Sequence, residues 1–240
     1  MESIYFNEEH RLLRNNVRRF VESEITPYIE EWEEKRELPR SLFLKMGELG
    51  YFGIRYPGEY GGGEADFFST VVLCEELGRS QSLGVANSLI THSEMAAHFI
   101  NVHATPEQKE AYLRPAIAGE KILALGITEP NAGSDVASIE TTAVRDGDEY
   151  VINGSKMFIT NGSFADTILL AAKTGDGGRH RDISVFLFDT STRNFSASKL
   201  KKIGHHMSGT SAIYVEDCRI PADRMLGESG RGCYAIMNTF

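Results

Sequence analysis

The sequence predicts a multi-domain α+β protein: an N-terminal all-α helical domain over residues 1–121, an antiparallel β-barrel or sandwich over 122–226, and a short stub over 227–240. Three observations carry this. Apolar residues recur at three-to-four spacing through the first half. After Gly119 the period shortens and Asp-Gly and Asn-Gly turns appear. Finally a glycine-rich stretch, "GESGRG", opens what reads as a new helix, "CYAIMNTF".

The helical half divides as follows. Leu12, Leu13, Val17, Phe20, Val21 and Ile25 form one apolar face behind Asn7, a good N-cap, and Pro27 marks a break or kink. "SLFLKMGEL" is a second helix stopped by Gly50 as its C′ residue. "GIRYPGEYGGGEAD" is a loop, "FFSTVVLCEEL" a third helix, and "SLGVANSLITHSEMAAHFI" a fourth, largely buried one. "TPEQKEAYLRPAI" opens with Thr105 as N-cap, Pro106 at the first position and Gln108 at capping-box spacing.

In the β half, Asp146-Gly147 and Asn153-Gly154 are each read as hairpin turns. "TILLAAKT", "ISVFLFDT" and "TSAIYVEDCRI" are further strands, which makes about seven short strands, a sandwich or barrel count. A helix that stops after one or two turns is a poor terminus, so the sequence reads as cut before its next domain.

Composition excludes several classes. A net charge of −9 and a pI near 5.3 argue against a nucleic-acid surface. Lys199, Lys201 and Lys202 read as a solvated strand edge. Cys74, Cys218 and Cys233 have no CxxC spacing, so neither a disulfide framework nor a zinc site is expected, and a reducing cytoplasm is the natural home. The acidic, amphipathic N-terminus is no signal peptide, and no apolar run approaches the ~20 residues of a membrane span.

Two stretches have the character of ligand loops. In "GITEPNAGSD", Thr128 and Ser134 supply hydroxyls and Gly133 lets a ligand approach the backbone. A tight structural turn accounts for this stretch as well as a ligand cradle does. In "SKMFITNG", strand alternation puts Lys156, Phe158 and Thr160 on one side and Met157 and Ile159 on the other. Phe158 and Thr160 then suit either a ring stacked and bonded at its edge or a plain packing pair. His92, His98, His103, His205 and His206 lack metal-ligand spacing, and neither "YGGG" nor "GESGRG" sits in a dinucleotide-binding context.

Taken in order, "GYFGIRYPGEYGG", "CEELGR", "ITEPNAGSD", "GSKMFITNG", "VEDCRIPADRMLGE" and "GRGCYAIM" resemble the acyl-CoA dehydrogenase family of FAD flavoenzymes, across essentially the whole chain. The resemblance implies a helical domain, a β domain and a C-terminal helical bundle, of which this chain holds the first two. It implies FAD as cofactor. Leu125, Gly126, Ile127, Thr128, Gly133 and Ser134 would line one side of the flavin, with Thr128 at its pyrimidine edge. Phe158, Ile159 and Thr160 would form the other wall, and Ser134 would also touch the acyl-CoA substrate. The sequence departs from the family pattern at Phe158, where many members carry Trp, and at His206, where Arg is usual.

The implied reaction is dehydrogenation of an acyl-CoA to the 2-enoyl-CoA in fatty-acid β-oxidation, with electrons passed to an electron-transfer flavoprotein. A cytoplasmic homo-oligomer, dimer or tetramer, is expected. No catalytic residue is assigned: the family's base belongs to the C-terminal region, and Glu129 is not its counterpart. The fragment is therefore expected to be inactive and to hold FAD weakly. The helix near 81–101 has no Lys or Arg, which favours an uncharged acyl group. Three other readings stand beside this one: an oxidase or monooxygenase on the same scaffold, a non-catalytic flavin-wall subunit of a heteromer, and a binding or scaffold protein without flavin.

Overall fold

A computed structural model describes residues 4–175 and 178–239. Helix α1 (Glu8–Phe20) starts where Asn7 accepts the His10 N–H at 3.0 Å and the His10 ring accepts the Asn7 N–H at 3.1 Å. It runs on through a π turn (Val21–Ile25) and a 3₁₀ turn (Thr26–Tyr28) into α2 (Ile29–Lys35). The break expected at Pro27 is thus a change of helical pitch, which absorbs the missing N–H. Helix α3 (Arg40–Glu48) ends at Gly50, held at φ +74. Helix α4 (Phe67–Gly78) is capped by Asp66. The long fourth helix is continuous: α5 (Leu83–Ile90), a π segment (Thr91–Ala97) and α6 (His98–His103). Thr105 and Gln108 form the capping box of α7 (Pro106–Gln108), and a π turn (Lys109–Leu113) leads into α8 (Arg114–Ile117).

The chain then forms a rolled eight-stranded sheet: β1 (Leu123–Gly126), β2 (Thr142–Asp146), β3 (Glu149–Ile159), β4 (Thr167–Lys173), β5 (Ile183–Asp189), β6 (Phe195–Lys199), β7 (Ser211–Pro221) and β8 (Met225–Leu226). The order is β6-β7-β3-β2-β4-β5-β8, with β1 parallel to β4. All other pairings are antiparallel except a single parallel bridge between β2 and β4. Helix α9 (Gly232–Thr239) follows. No described helix is long and apolar enough to cross a membrane.

Two apolar cores meet at β4 and β5. Ile168, Leu170, Ala172, Phe186 and Phe188 face the interior of the sheet domain. Leu169, Ala171, Val185 and Leu187 face the helices and merge with their core. Strands buried on both faces read as unbroken apolar runs, which is why "TILLAA" and "ISVFLF" show no alternation. His92 makes the joint between the halves. Its Nε2 lies 3.0 Å from the Ala116 carbonyl, and its Nδ1 accepts the Leu123 N–H at 3.1 Å. The ring packs against Phe43 and Phe52, and burial pushes its pKa down to about 4.

The Asn153-Gly154 reading is corrected. Only the Asp-Gly site makes a hairpin, between β2 and β3, with Gly147 and Asp148 as its loop. At Asn153-Gly154, β3 runs straight on opposite a bulge in β7, where Ile152 to Gly154 faces the one-residue-longer stretch Cys218 to Val215. Glycine is needed there because a Cβ would lie 2.4 Å from Thr141 Oγ1. Asn153 exchanges hydrogen bonds with Asp217 on β7 instead of turning the chain. The lysine edge is corrected in part. Lys199 and Lys201 are exposed, but Lys202 is half-buried and donates to Ser208 Oγ (2.6 Å) and Thr210 Oγ1 (2.8 Å).

Candidate functional site

Strand β1 ends at Gly126, where a Cβ would approach Ile168 to 2.8 Å, so the strand lies tight against β4. The loop 127–135 then crosses the end of β3. The Met157 N–H donates to the Thr128 carbonyl at 2.8 Å and ties the two together. Opposite β7, the stretch from Lys156 to Ile159 is one residue longer than its partner, Ile213 to Ser211. The extra residue forces Phe158 to φ +62, a conformation unusual for a bulky side chain.

That bulge overturns the alternation expected for this stretch. Lys156 is fully buried, while Phe158 is 66% exposed. They do not share a side. The bulge turns Phe158 outward and leaves Lys156 pointing into the domain, where its Nζ donates to Glu129 Oε1 (2.8 Å) and to the Ile127 carbonyl (3.1 Å). Glu129 also accepts from Thr141 Oγ1 and from the backbone N–H groups of Glu140 and Thr141. Burial raises the cost of its charge, but Lys156 and these donors prevail and hold the carboxylate below its ordinary pKa. Burial pushes the Lys156 ammonium down to about 8 against the pull of Glu129.

The result is a cleft of about 250 Å³ between the sheet domain and the long fourth helix. Leu125, Ile127 and Thr128 form one wall; Phe158, Ile159 and Thr160 form the other; Asn87, Thr91 and Met95 close the helical side. Of the three hydroxyls singled out from sequence, Thr128 and Thr160 share one cavity and Ser134 is outside it, and Asn87 Nδ2 donates to Thr160 Oγ1 at 3.4 Å. Gly126 is buried and outside the lining. Gly133 and Ser134 lie exposed on the loop, away from this lining, with open space around Gly133. No Asp or Glu is among the residues that line the cleft.

Sequence reasoning missed Asn161. It is buried at φ +65, directly after Thr160. Its amide donates to the Ser88 and Leu123 carbonyls, at 3.0 and 3.2 Å, and its oxygen accepts from the Ser88 hydroxyl. This joins the fourth helix, β1 and the bulge at one point. The Asn-Gly pair at 161–162 was the available signal. The Lys156–Glu129 pair had none, because the partners lie far apart in the chain.

The model of the acyl-CoA dehydrogenase N-terminal domain matches residues 7–120, and that of the middle domain matches residues 124–218. The chain belongs to the acyl-CoA dehydrogenase family. It is 41% identical over 233 residues to a short-chain specific acyl-CoA dehydrogenase of Clostridium acetobutylicum, covering 96% of this chain and 61% of that protein. Among solved structures, an acyl-CoA dehydrogenase from Geobacillus kaustophilus superposes with a TM-score of 0.94 at 40% identity, over 99% of this chain and 63% of that one. A glutaryl-CoA dehydrogenase from Mycobacterium smegmatis, solved in complex with FADH2, superposes with a TM-score of 0.89 at 32% identity, over 98% and 59%. The chain thus spans about three fifths of the length of these dehydrogenases.

Proposed function

We propose that this chain supplies the flavin wall of an FAD-dependent acyl-CoA dehydrogenase, which converts an acyl-CoA to its 2-enoyl-CoA and passes electrons to an electron-transfer flavoprotein. The observation that carries the reading is the meeting of Thr128 and Thr160 in one cleft lined by both apolar and polar side chains. A flat heterocycle has apolar faces and a polar rim, and this donor set suits it. Leu125, Ile127, Ile159 and Phe158 offer surface to the faces, and the two threonine hydroxyls reach the edges. Gly126 keeps the wall tight against β4, and in this reading the exposed loop with Gly133 and Ser134 contributes to flavin and acyl-CoA binding from outside the cleft lining. When bound, FAD supplies the hydride acceptor; the protein orients it and excludes water.

The reaction also needs a carboxylate to remove the α-proton. None lines the cleft, and Glu129 is committed to Lys156 and three N–H or O–H donors. The base therefore comes from outside these 240 residues, and we place no catalytic residue within them. Two arrangements supply it: a helical region in the same polypeptide, or a second chain in a heteromer. The acyl group is uncharged in this reading. Arg55, which lies beside the acyl-facing helix, is 3.2 Å from its Glu94 and is already paired. Three free cysteines suit the cytoplasm, and a dimer or tetramer completes the site.

The test is a titration of the purified chain with FAD, followed by flavin fluorescence. Saturable quenching that falls about tenfold or more in affinity in Thr128→Ala/Thr160→Ala supports the reading. Equal affinity in the double variant sinks it. Anaerobic addition of an acyl-CoA then tests the missing base: bleaching of the visible flavin band by this chain alone would show that a base is present.

A further inference from the structure

Behind the cleft lies a charged pair that the reading above does not use. Lys156 and Glu129 have side chains 0% and 4% exposed and sit 2.8 Å apart. Burying two charges costs about as much as their attraction returns, so stability alone gives no account of the pair. Lys156 makes one further contact, a 3.1 Å hydrogen bond to the carbonyl of Ile127, a residue of the cleft wall.

The geometry of that contact reaches into the cleft. The Ile127–Thr128 peptide is trans, so its carbonyl and its N–H point in opposite directions. With the carbonyl turned to Lys156, the N–H carried by Thr128 is turned away from Lys156, and both Ile127 and Thr128 are residues of the cavity lining. An ammonium on the carbonyl also polarises the peptide and strengthens the N–H as a donor, the more so in a buried setting. The following peptide is fixed as well, because the Thr128 carbonyl accepts the Met157 N–H. Glu129 holds Lys156 in place, and is itself held by Thr141 and the Glu140 and Thr141 backbone.

We propose that Lys156 is a positioning residue that aims and polarises the Thr128 N–H at the edge of the ring bound in the cleft. This rests on the flavin reading above. A polarised donor at the ring edge favours the electron-rich reduced ring over the oxidised one. Lys156 therefore raises the reduction potential of the cofactor without touching it.

The experiment compares wild type, Glu129→Gln, and Glu129→Gln/Lys156→Met. Gln at 129 removes the carboxylate but keeps a side-chain oxygen that accepts from Lys156, so the nitrogen stays on the Ile127 carbonyl. The double variant removes both charges, so no carboxylate is stranded in the core. Hydrogen exchange is read first, without flavin. The Thr128 and Met157 amides are expected to exchange about tenfold faster in the double variant than in Glu129→Gln, with distant β4 amides unchanged. The potential of the flavin-loaded chain is read second. It is expected to fall in the double variant by the equivalent of a tenfold shift in the oxidised-to-reduced ratio, about 30 mV for a two-electron couple. Identical exchange at both amides in the two variants overturns the positioning role. Faster exchange with an unchanged potential overturns the electronic part. A wild-type chain that takes up no flavin sinks the cofactor reading instead, and the exchange comparison still decides the role of Lys156.

Discussion

Strands β4 and β3 belong to one rolled sheet and are built on opposite principles. β4 is seven residues in unbroken register with β5, buried on both faces, and contributes only packing. β3 is eleven residues with two register shifts, a phenylalanine at positive φ, a buried lysine and an exposed aromatic ring. The regular strand holds the two cores together. The irregular one forms a wall of the cleft. A pleat repeats every second residue and places side chains only above or below the sheet. A bulge breaks that repeat and re-aims them, so here the candidate site sits where the ladder fails.

The sharpest way to break this contrast is at Lys156. Lys156→Met leaves Glu129 as a buried carboxylate without its counter-charge, and the expected loss is about 4 kcal/mol of folding stability. Lys156→Met/Glu129→Gln should recover most of it, because Gln carries no charge and its side-chain oxygen still accepts from Thr141 and the backbone N–H groups that Glu129 satisfies. Urea unfolding of both variants checks this. A single variant as stable as the double one would mean that the pair is not buried as described.

The regular strand should fail differently. Leu169→Ala on β4 removes a fully buried side chain at the boundary with the helices, at an expected cost of about 3 kcal/mol through cavity formation. No second substitution elsewhere in the chain should rescue it, since packing has no single partner. The same unfolding series measures it.

These two strands also differ in how well they could be read. The runs "TILLAAKT" and "ISVFLFDT" announced themselves, because a strand buried on both faces is apolar throughout and its signal is local. The capping box at Thr105 and Gln108, the N-cap at Asn7 and the glycine at 50 were legible for the same reason: each is satisfied within a few residues. The walls at Thr128 and Thr160 were found as short polar segments, but their partners were not. Lys156 and Glu129 lie 27 residues apart, and Asn161 is placed by Ser88, 73 residues away. Asn153-Gly154 misled because an Asn-Gly pair also suits a strand where a neighbour approaches the backbone closely, opposite a bulge in β7. The choice was made by Thr141 pressing on Gly154 from outside the segment.

Acid should separate the strands without any substitution. His92 holds the start of β1, the strand parallel to β4. Its folded pKa, about 4, lies below its ordinary 6.5. A depressed pKa gives stability that is complete above 6.5 and is lost as pH falls towards 4. The expected loss from this group is about 2 kcal/mol between pH 7 and pH 5. The hydrogen-exchange protection factor at Leu123, corrected for the intrinsic exchange rate at each pH, should fall over that window, tenfold or so, ahead of the bulge amides. His92→Gln, which keeps a donor and an acceptor but does not titrate there, should flatten the pH dependence.

The smallest expected effect on folding is at Phe158, and it isolates what the bulge is for. A ring that is 66% exposed contributes little to either core, so Phe158→Ala should change stability by less than about 0.5 kcal/mol. Its backbone is already at φ +62, where alanine is no more strained than phenylalanine. Yet the ring stands on the cleft wall beside Thr160, and in the flavin reading it offers a face to the bound heterocycle. Losing that face should weaken FAD binding about fivefold to tenfold, the cost of one stacked aromatic contact. Phe158→Trp should hold or improve it. The two measurements pull in opposite directions from those on β4, where the main loss is in stability. A destabilised Phe158→Ala with full FAD affinity would make the bulge a packing device and reverse the contrast between the strands.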